Sequence, residues 1–137
     1  MSVTLATTFI LVHDPDAALS FYRDALGLEV RMDVSNEGFR WVTVGAPGQD
    51  VSIVLSQPHG GRSLEEGDQV LSMVTRGTFQ AAIFRTDDLE ATFERVKASG
   101  VEILEEPTNQ PWGVRDCAVR DPSGNLVRIQ ASPESPR

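Results

Sequence analysis

Cysteine is almost absent from this chain. Cys117 stands alone, so no internal disulfide can form and no thiolate cluster can hold a structural metal. Basic side chains are also scarce, twelve Lys and Arg against twenty Asp and Glu, and the resulting charge of −8 repels phosphate backbones and anionic membrane surfaces. Neither nucleic acid nor a membrane is an expected partner. No apolar run reaches the roughly 20 residues that span a bilayer, and the opening residues carry neither a basic leader nor a cleavage site. The expectation is a cytoplasmic protein. A Ser-His-Asp spacing, a Walker loop, GxGxxG and CxxC are all missing, so triad, nucleotide-dependent and dithiol mechanisms lose their support.

What is present is an ordinary globular composition: 137 residues, 40% apolar and 23% charged. That is one domain, or two half-size modules sharing a core. Val3 to Val12 is rich in Thr, Ile, Val and Phe and predicts a strand. Asp14-Pro15 then starts a helix, because a carboxylate accepts the free N–H groups of a first turn and proline lacks only a donor that is unused there. Ala18, Phe21, Tyr22 and Ala25 recur at helical spacing, and Gly27 supplies the stop. Three strands follow, from Leu28 to Met32, Phe39 to Val44 and Val51 to Leu55, separated by polar turns at Ser35 to Gly38 and Ala46 to Asp50.

The same plan then repeats. Thr78 to Arg85 predicts a strand, Asp87-Asp88 a helix start, Leu89, Phe93 and Val96 an apolar stripe, and Gly100 a stop. Val101 to Leu104, Gly113 to Arg120 and Leu126 to Ala131 supply three more strands. Sliding the chain by 73 residues places Asp14 on Asp87, Ala18 on Ala91, Gly27 on Gly100 and Glu29 on Glu102, which points to an internal duplication. The expected organisation is α+β in a single domain. Residues 1–57 and 78–131 form tandem βαβββ modules, residues 58–77 a connector with a short helix over Asp68 to Thr75, and residues 132–137 a frayed, proline-rich tail. One helix covers only one face of each module's strands. The other faces must pack together or surround a cavity, giving an open, cup-shaped mixed sheet with the helices outside.

Three segments carry a family resemblance: Val12-His13-Asp14 with Phe21-Tyr22 and Leu26-Gly27-Leu28; Thr86-Asp87-Asp88-Leu89 with Gly100-Val101; and Asp121-Pro122-Ser123-Gly124-Asn125 before an apolar strand. On these the chain resembles the vicinal oxygen chelate superfamily of glyoxalases, bleomycin-resistance proteins and extradiol dioxygenases. The resemblance implies homodimers and a divalent metal held by His or Glu at inward positions of the first and fourth strands of the modules. Those positions here hold Thr7, then Ser52, Val54 and Ser56, then Ala81, then Arg128. A catalytic divalent site needs about three imidazole or carboxylate ligands, and hydroxyls, a methyl and a guanidinium do not supply them. No metal or other cofactor is expected. Arg128 could grip an anionic ligand group in a forked pair or simply neutralise a nearby carboxylate.

Strand alternation gives the remaining candidate lining of the cup. Phe9 follows Thr7, Ile83 follows Ala81, and Phe39 and Trp41 share the larger face of their strand, opposite Val42 and Val44. Trp112, on a turn before a strand, could wall the cleft, plug a barrel end or meet a partner. His13 at its strand-to-helix corner reads as a surface or capping residue, and His59 reaches a site only if its Gly-rich loop folds over one. Cys117 reads as a buried inert thiol, and the acidic pairs Glu65-Glu66, Asp87-Asp88 and Glu105-Glu106 as solvated faces. The preferred expectation is a metal-free protein that binds a small aromatic molecule such as an antibiotic. The competing ones are a lyase, isomerase or dioxygenase with a divergent site, and an interaction subunit with a filled barrel.

Overall fold

The computed structural model describes residues 2–133; the end of the expected frayed tail, residues 134–137, lies outside the described residues. Chain order is β1 (Thr7–Leu11), α1 (Pro15–Leu19) continuing as a π-helical segment (Ser20–Ala25), β2 (Glu29–Asn36), β3 (Phe39–Gly45), β4 (Ser52–Ser56), α2 (Leu64–Thr75), β5 (Gln80–Thr86), α3 (Leu89–Ala98), β6 (Ile103–Asn109), β7 (Arg115–Arg120) and β8 (Leu126–Ala131). The strands form two open four-stranded sheets, ordered β1-β4-β3-β2 and β5-β8-β7-β6. In each, the first strand runs parallel to the fourth and the other pairings are antiparallel. The βαβββ plan thus occurs twice, and β1 of one sheet lies against β5 of the other.

Both helices cover the same side of their sheets and share one core. Val42, Val44 and Leu55 of the first sheet and Cys117, Val119, Val127 and Ile129 of the second pack with Phe21 and Tyr22 and with Phe93 and Val96 in a single apolar cluster. The π-helical segment adapts the first helix to this junction. Its wide turns, closed by Leu26 N–H to Phe21 O and Leu28 N–H to Tyr22 O, seat both aromatic rings inward, edge to face with centroids 4.8 Å apart. Among the described residues, no helix is long and apolar enough to cross a membrane.

Several boundaries differ from the sequence expectation. β1 starts at Thr7 rather than Val3 because its parallel partner begins at Ser52; Val3 and Leu5 have nothing to pair with and are exposed. The first hairpin turn is only Glu37-Gly38, both at positive φ (51° and 84°), the two-residue geometry that matches strand twist. α2 starts at Leu64, not Asp68, because Ser63 caps it: its hydroxyl oxygen accepts the Glu66 N–H and its O–H donates to the Glu66 carboxylate. Gly67, read from sequence as the end of a loop, is a buried helical residue against which the His59 ring packs so closely that any Cβ would collide. α3 is capped by Asp88 rather than Asp87. β6 extends through Glu105-Glu106-Pro107, which an edge strand tolerates at its bulge because proline withholds only an outward N–H.

The Asp121–Asn125 turn does more than close the β7-β8 hairpin. The Asp121 carboxylate, 4% exposed, accepts the N–H groups of Ser123, Gly124 and Asn125 at 2.9 to 3.0 Å. Across the module boundary it also accepts the Tyr22 hydroxyl at 2.6 Å. Asn125 donates to Leu11 O at 2.6 Å, and Ser123 Oγ accepts the His13 N–H at 2.9 Å. Gly124, at φ 108°, passes 2.9 Å (as an ideal Cβ) from Val74 O at the end of α2, leaving no room for a side chain. The motif is a clasp between the modules and the connector helix. Tyr22 keeps its proton far above the ordinary tyrosine range, chiefly because burial disfavours a phenolate and secondarily because Asp121 repels one.

Candidate functional site

With both helices on one side, the opposite faces of the two sheets stay uncovered, and they differ in chemistry. On the first sheet, β1 alternation sends Ile10 into the core (3% exposed) and leaves Phe9 on the free face (60%). β3 splits likewise, Val42 and Val44 inward at 0% and Phe39 and Trp41 outward at 45% and 47%. Met32 and Val34 extend this apolar face onto β2, because they stand opposite Thr43 and Trp41 in register.

A cleft of about 940 Å³ opens on this face. Phe9, Phe39, Trp41, Val54 and Ser56, all expected from the sequence, line it together with Val34 and Leu11. Sequence reasoning missed the segment that closes its end: Gln57, Gly60, Gly61 and Arg62, directly after β4, fold against the same space. The available signal was position, since these residues continue from an inward Ser56 with two glycines that let the chain turn back. Gln57 is fixed by its side-chain carbonyl, which accepts the Arg40 N–H at 3.0 Å. Arg40 also lines the cleft, but its guanidinium is neutralised by Asp33 at 2.7 Å and Asp16 at 2.6 Å.

Thr7 and Ser52 are register partners on β1 and β4 and lie beyond this cleft. Ser52 Oγ accepts from Arg31, which also donates to the carbonyls of Ala46 and Val51 and so ties down the β3-β4 loop. Ala81 falls at a bulge in the β5-β8 pairing and packs against the core. Ile83 is exposed on the second sheet, opposite Arg128 in register. Trp112 is 67% exposed on the β6-β7 turn, away from the cleft.

The free face of the second sheet is polar. Arg128 pairs with Asp116 at 3.3 Å and Glu105 at 3.7 Å, and Gln110 bridges the same two carboxylates at 2.7 and 2.8 Å. Glu105 is therefore part of a network, not of a solvated face. Its cation is already matched by two anions, and the pair around Asp116, 3% exposed, is sheltered from water.

The family-type metal positions do not fit a divalent ion. Thr7, Ser52, Val54, Ser56 and Ala81 offer hydroxyls and alkyl groups, and Arg128 holds a permanent positive charge where a ligand would stand. Among the described residues no three His, Cys, Asp or Glu side chains converge. His13 donates from Nε2 to Thr75 Oγ1 at 2.8 Å, since that hydroxyl is itself spent on Leu71 O, and His59 contacts Asp68 at 2.8 Å. Both imidazoles are engaged away from the cleft. Cys117 is fully buried, and desolvation with help from Asp116 pushes its thiol up to about 11, which leaves negligible thiolate at neutral pH.

Known proteins share the sequence and fold of this chain. The uncharacterized YurT of Bacillus subtilis (strain 168) is 33% identical over 126 residues, covering 91% of this chain and 96% of YurT. The crystal structure of UcmS2 superposes with a TM-score of 0.85 at 30% identity, covering 96% of this chain and 100% of that one. TnmS3, described as an antibiotic binding protein from Streptomyces sp. CB03234, superposes at 0.73 with 26% identity, covering 96% and 98%. A family model matches residues 4–129, and the chain belongs to the Glyoxalase/Bleomycin resistance protein/Dioxygenase superfamily.

Proposed function

We propose that this protein is a metal-free binder that sequesters a small aromatic molecule, such as an antibiotic, on the free face of its first sheet. The observation that carries the reading is the cleft of about 940 Å³ lined by Phe9, Phe39 and Trp41, with no group of three His, Cys, Asp or Glu converging among the described residues. Its size and apolar lining suit a drug-sized planar ligand, and the exposed indole supplies a stacking surface with one N–H donor. The antibiotic binding described for TnmS3 supports the same class of ligand. The lone reduced thiol accords with a cytoplasmic setting.

Isothermal titration against a panel of aromatic metabolites and antibiotics tests the reading, with saturable binding of at least one planar member expected. Binding to none would overturn it. Elemental analysis of protein purified without chelator is expected to find no stoichiometric metal. One equivalent of Fe, Mn, Ni or Zn would instead favour a family-type enzyme.

The working form in this proposal is a homodimer. Phe9, Met32, Val34, Phe39 and Trp41 stand exposed on the free face of the first sheet, and a second copy would shield the part of it that a ligand leaves open. Equilibrium sedimentation should give twice the chain mass, and the mass of one chain at micromolar concentration would exclude this arrangement.

A further inference from the structure

The charges around the cleft are unequally compensated. Arg40 is matched by two aspartates. The Arg62 guanidinium, in contrast, makes one hydrogen bond, from Nη1 to Pro58 O at 3.0 Å, and no ion pair among the described residues. A guanidinium keeps its charge at any working pH and carries five N–H donors in a planar fork, so four remain available. An uncompensated cation beside an apolar cleft is notable in a chain of net charge −8.

The position of Arg62 strengthens this. It follows Gly60-Gly61, with Gly61 at φ 72°, a backbone state that turns the loop back over the end of β4. Trp41, Ser56 and Gln57 line the same cleft, and among the described residues their side chains accept or stand free but donate no hydrogen bond. The site thus has a surplus of donors beside an aromatic surface. The one uncompensated acid on the lining is Glu37, at the tip of the β2-β3 hairpin, with a single carboxylate against that donor set.

We infer that Arg62 is the specificity-determining residue of the cleft and that it selects aromatic ligands bearing an anionic substituent, a carboxylate, sulfonate or phenolate, held by the guanidinium while the ring lies on Trp41. The inference rests on the binding reading above and adds the charge of the ligand to it. Ser56 and Gln57 add neutral donors to the same lining, and a forked guanidinium pair with an anion is stronger than a neutral hydrogen bond.

Three near-isosteric probes decide the matter: 2-naphthoate, neutral 2-naphthamide and cationic 2-naphthylmethylammonium, titrated against the full chain at low ionic strength. The carboxylate is expected to bind at least about tenfold tighter than the amide, as a charge-assisted pair commonly gives, and the ammonium to bind weakest. Arg62→Gln should remove the carboxylate's advantage, bringing the ratio of carboxylate to amide affinity to about one. Because Arg62 is exposed, the variant should fold normally, and an unchanged circular dichroism spectrum and melting temperature serve as its control. Equal affinities for carboxylate and amide, tighter binding of the ammonium, or a preference that survives Arg62→Gln would each overturn the role of Arg62 while leaving aromatic binding intact. Failure of all three probes, with no hit from the wider panel, would remove the binding reading itself.

Discussion

Asp121→Ala is expected to lower stability by about 3 to 5 kcal/mol, the range for removing one partner of a fully buried charged network. For a chain of this length that corresponds to a fall in melting temperature of roughly 10 to 20 °C. The reason is the number of donors that converge on one carboxylate: three turn N–H groups, the Asn125 amide and the Tyr22 hydroxyl. Alanine would strand them in a place water does not reach, and each unsatisfied buried donor costs about 1 to 3 kcal/mol. Thermal denaturation followed by circular dichroism measures the change. A midpoint within about 2 °C of the parent, as for an inert surface substitution, would show that the clasp does not hold the modules together.

Tyr22 gives the same junction a pH signature. Its folded-state pKa lies well above the ordinary value of 10.0, so the stability it contributes is fully present below pH 10 and is lost as pH rises through the folded value. Cys117, raised from 9.0 to about 11, acts with the same sign over that window. Tyr22→Phe removes one hydrogen bond and should be less stable at neutral pH by about 1 to 2 kcal/mol. It should nevertheless lose less stability than the parent on going from pH 8 to pH 11, and Cys117→Ala separates the thiol's share.

Trp41→Ala is expected to weaken binding of 2-naphthamide by roughly tenfold to a hundredfold, the 1 to 3 kcal/mol typical of removing one aromatic stacking partner. Its melting temperature should change little. The two outcomes separate because Trp41 is 47% exposed in the cleft, so its ring contributes less to the folded core than to whatever lies on it. Trp41→Phe should keep most of the affinity, since it retains a flat ring and loses only area and the N–H donor. If affinity survived the loss of the indole, the ligand would have to sit elsewhere, with the polar second sheet as the remaining free face.

Much of this architecture is legible in local sequence. Capping by Asp14, the stripe of Ala18, Phe21, Tyr22 and Ala25, and strand alternation in β3 are short-range effects of backbone hydrogen bonding and side-chain period. They fix the order of elements, and they separate Val42 and Val44 from Phe39 and Trp41. The doubling of the pattern at a shift of 73 residues carries the two-module plan. The residue types at the positions that the family resemblance marks for metal ligands are likewise read directly from the sequence.

Other features exist only once distant segments meet. The helix tolerates only glycine at position 67 because the His59 ring, eight residues earlier, packs where a side chain would be. Arg62 joins the cleft because the connector turns back over β4, and Arg128 is withdrawn from ligand duty because β6 and β7 bring Glu105 and Asp116 to it. Asp121 looks like an ordinary turn residue until Tyr22, 99 positions away, places a hydroxyl 2.6 Å from it. Residue type and period are properties of neighbours along the chain, and they determine which elements form and which face each side chain takes. Charge compensation and close packing depend on neighbours in space, so only the folded arrangement decides which arginine stays free and which aspartate binds the two halves into one domain.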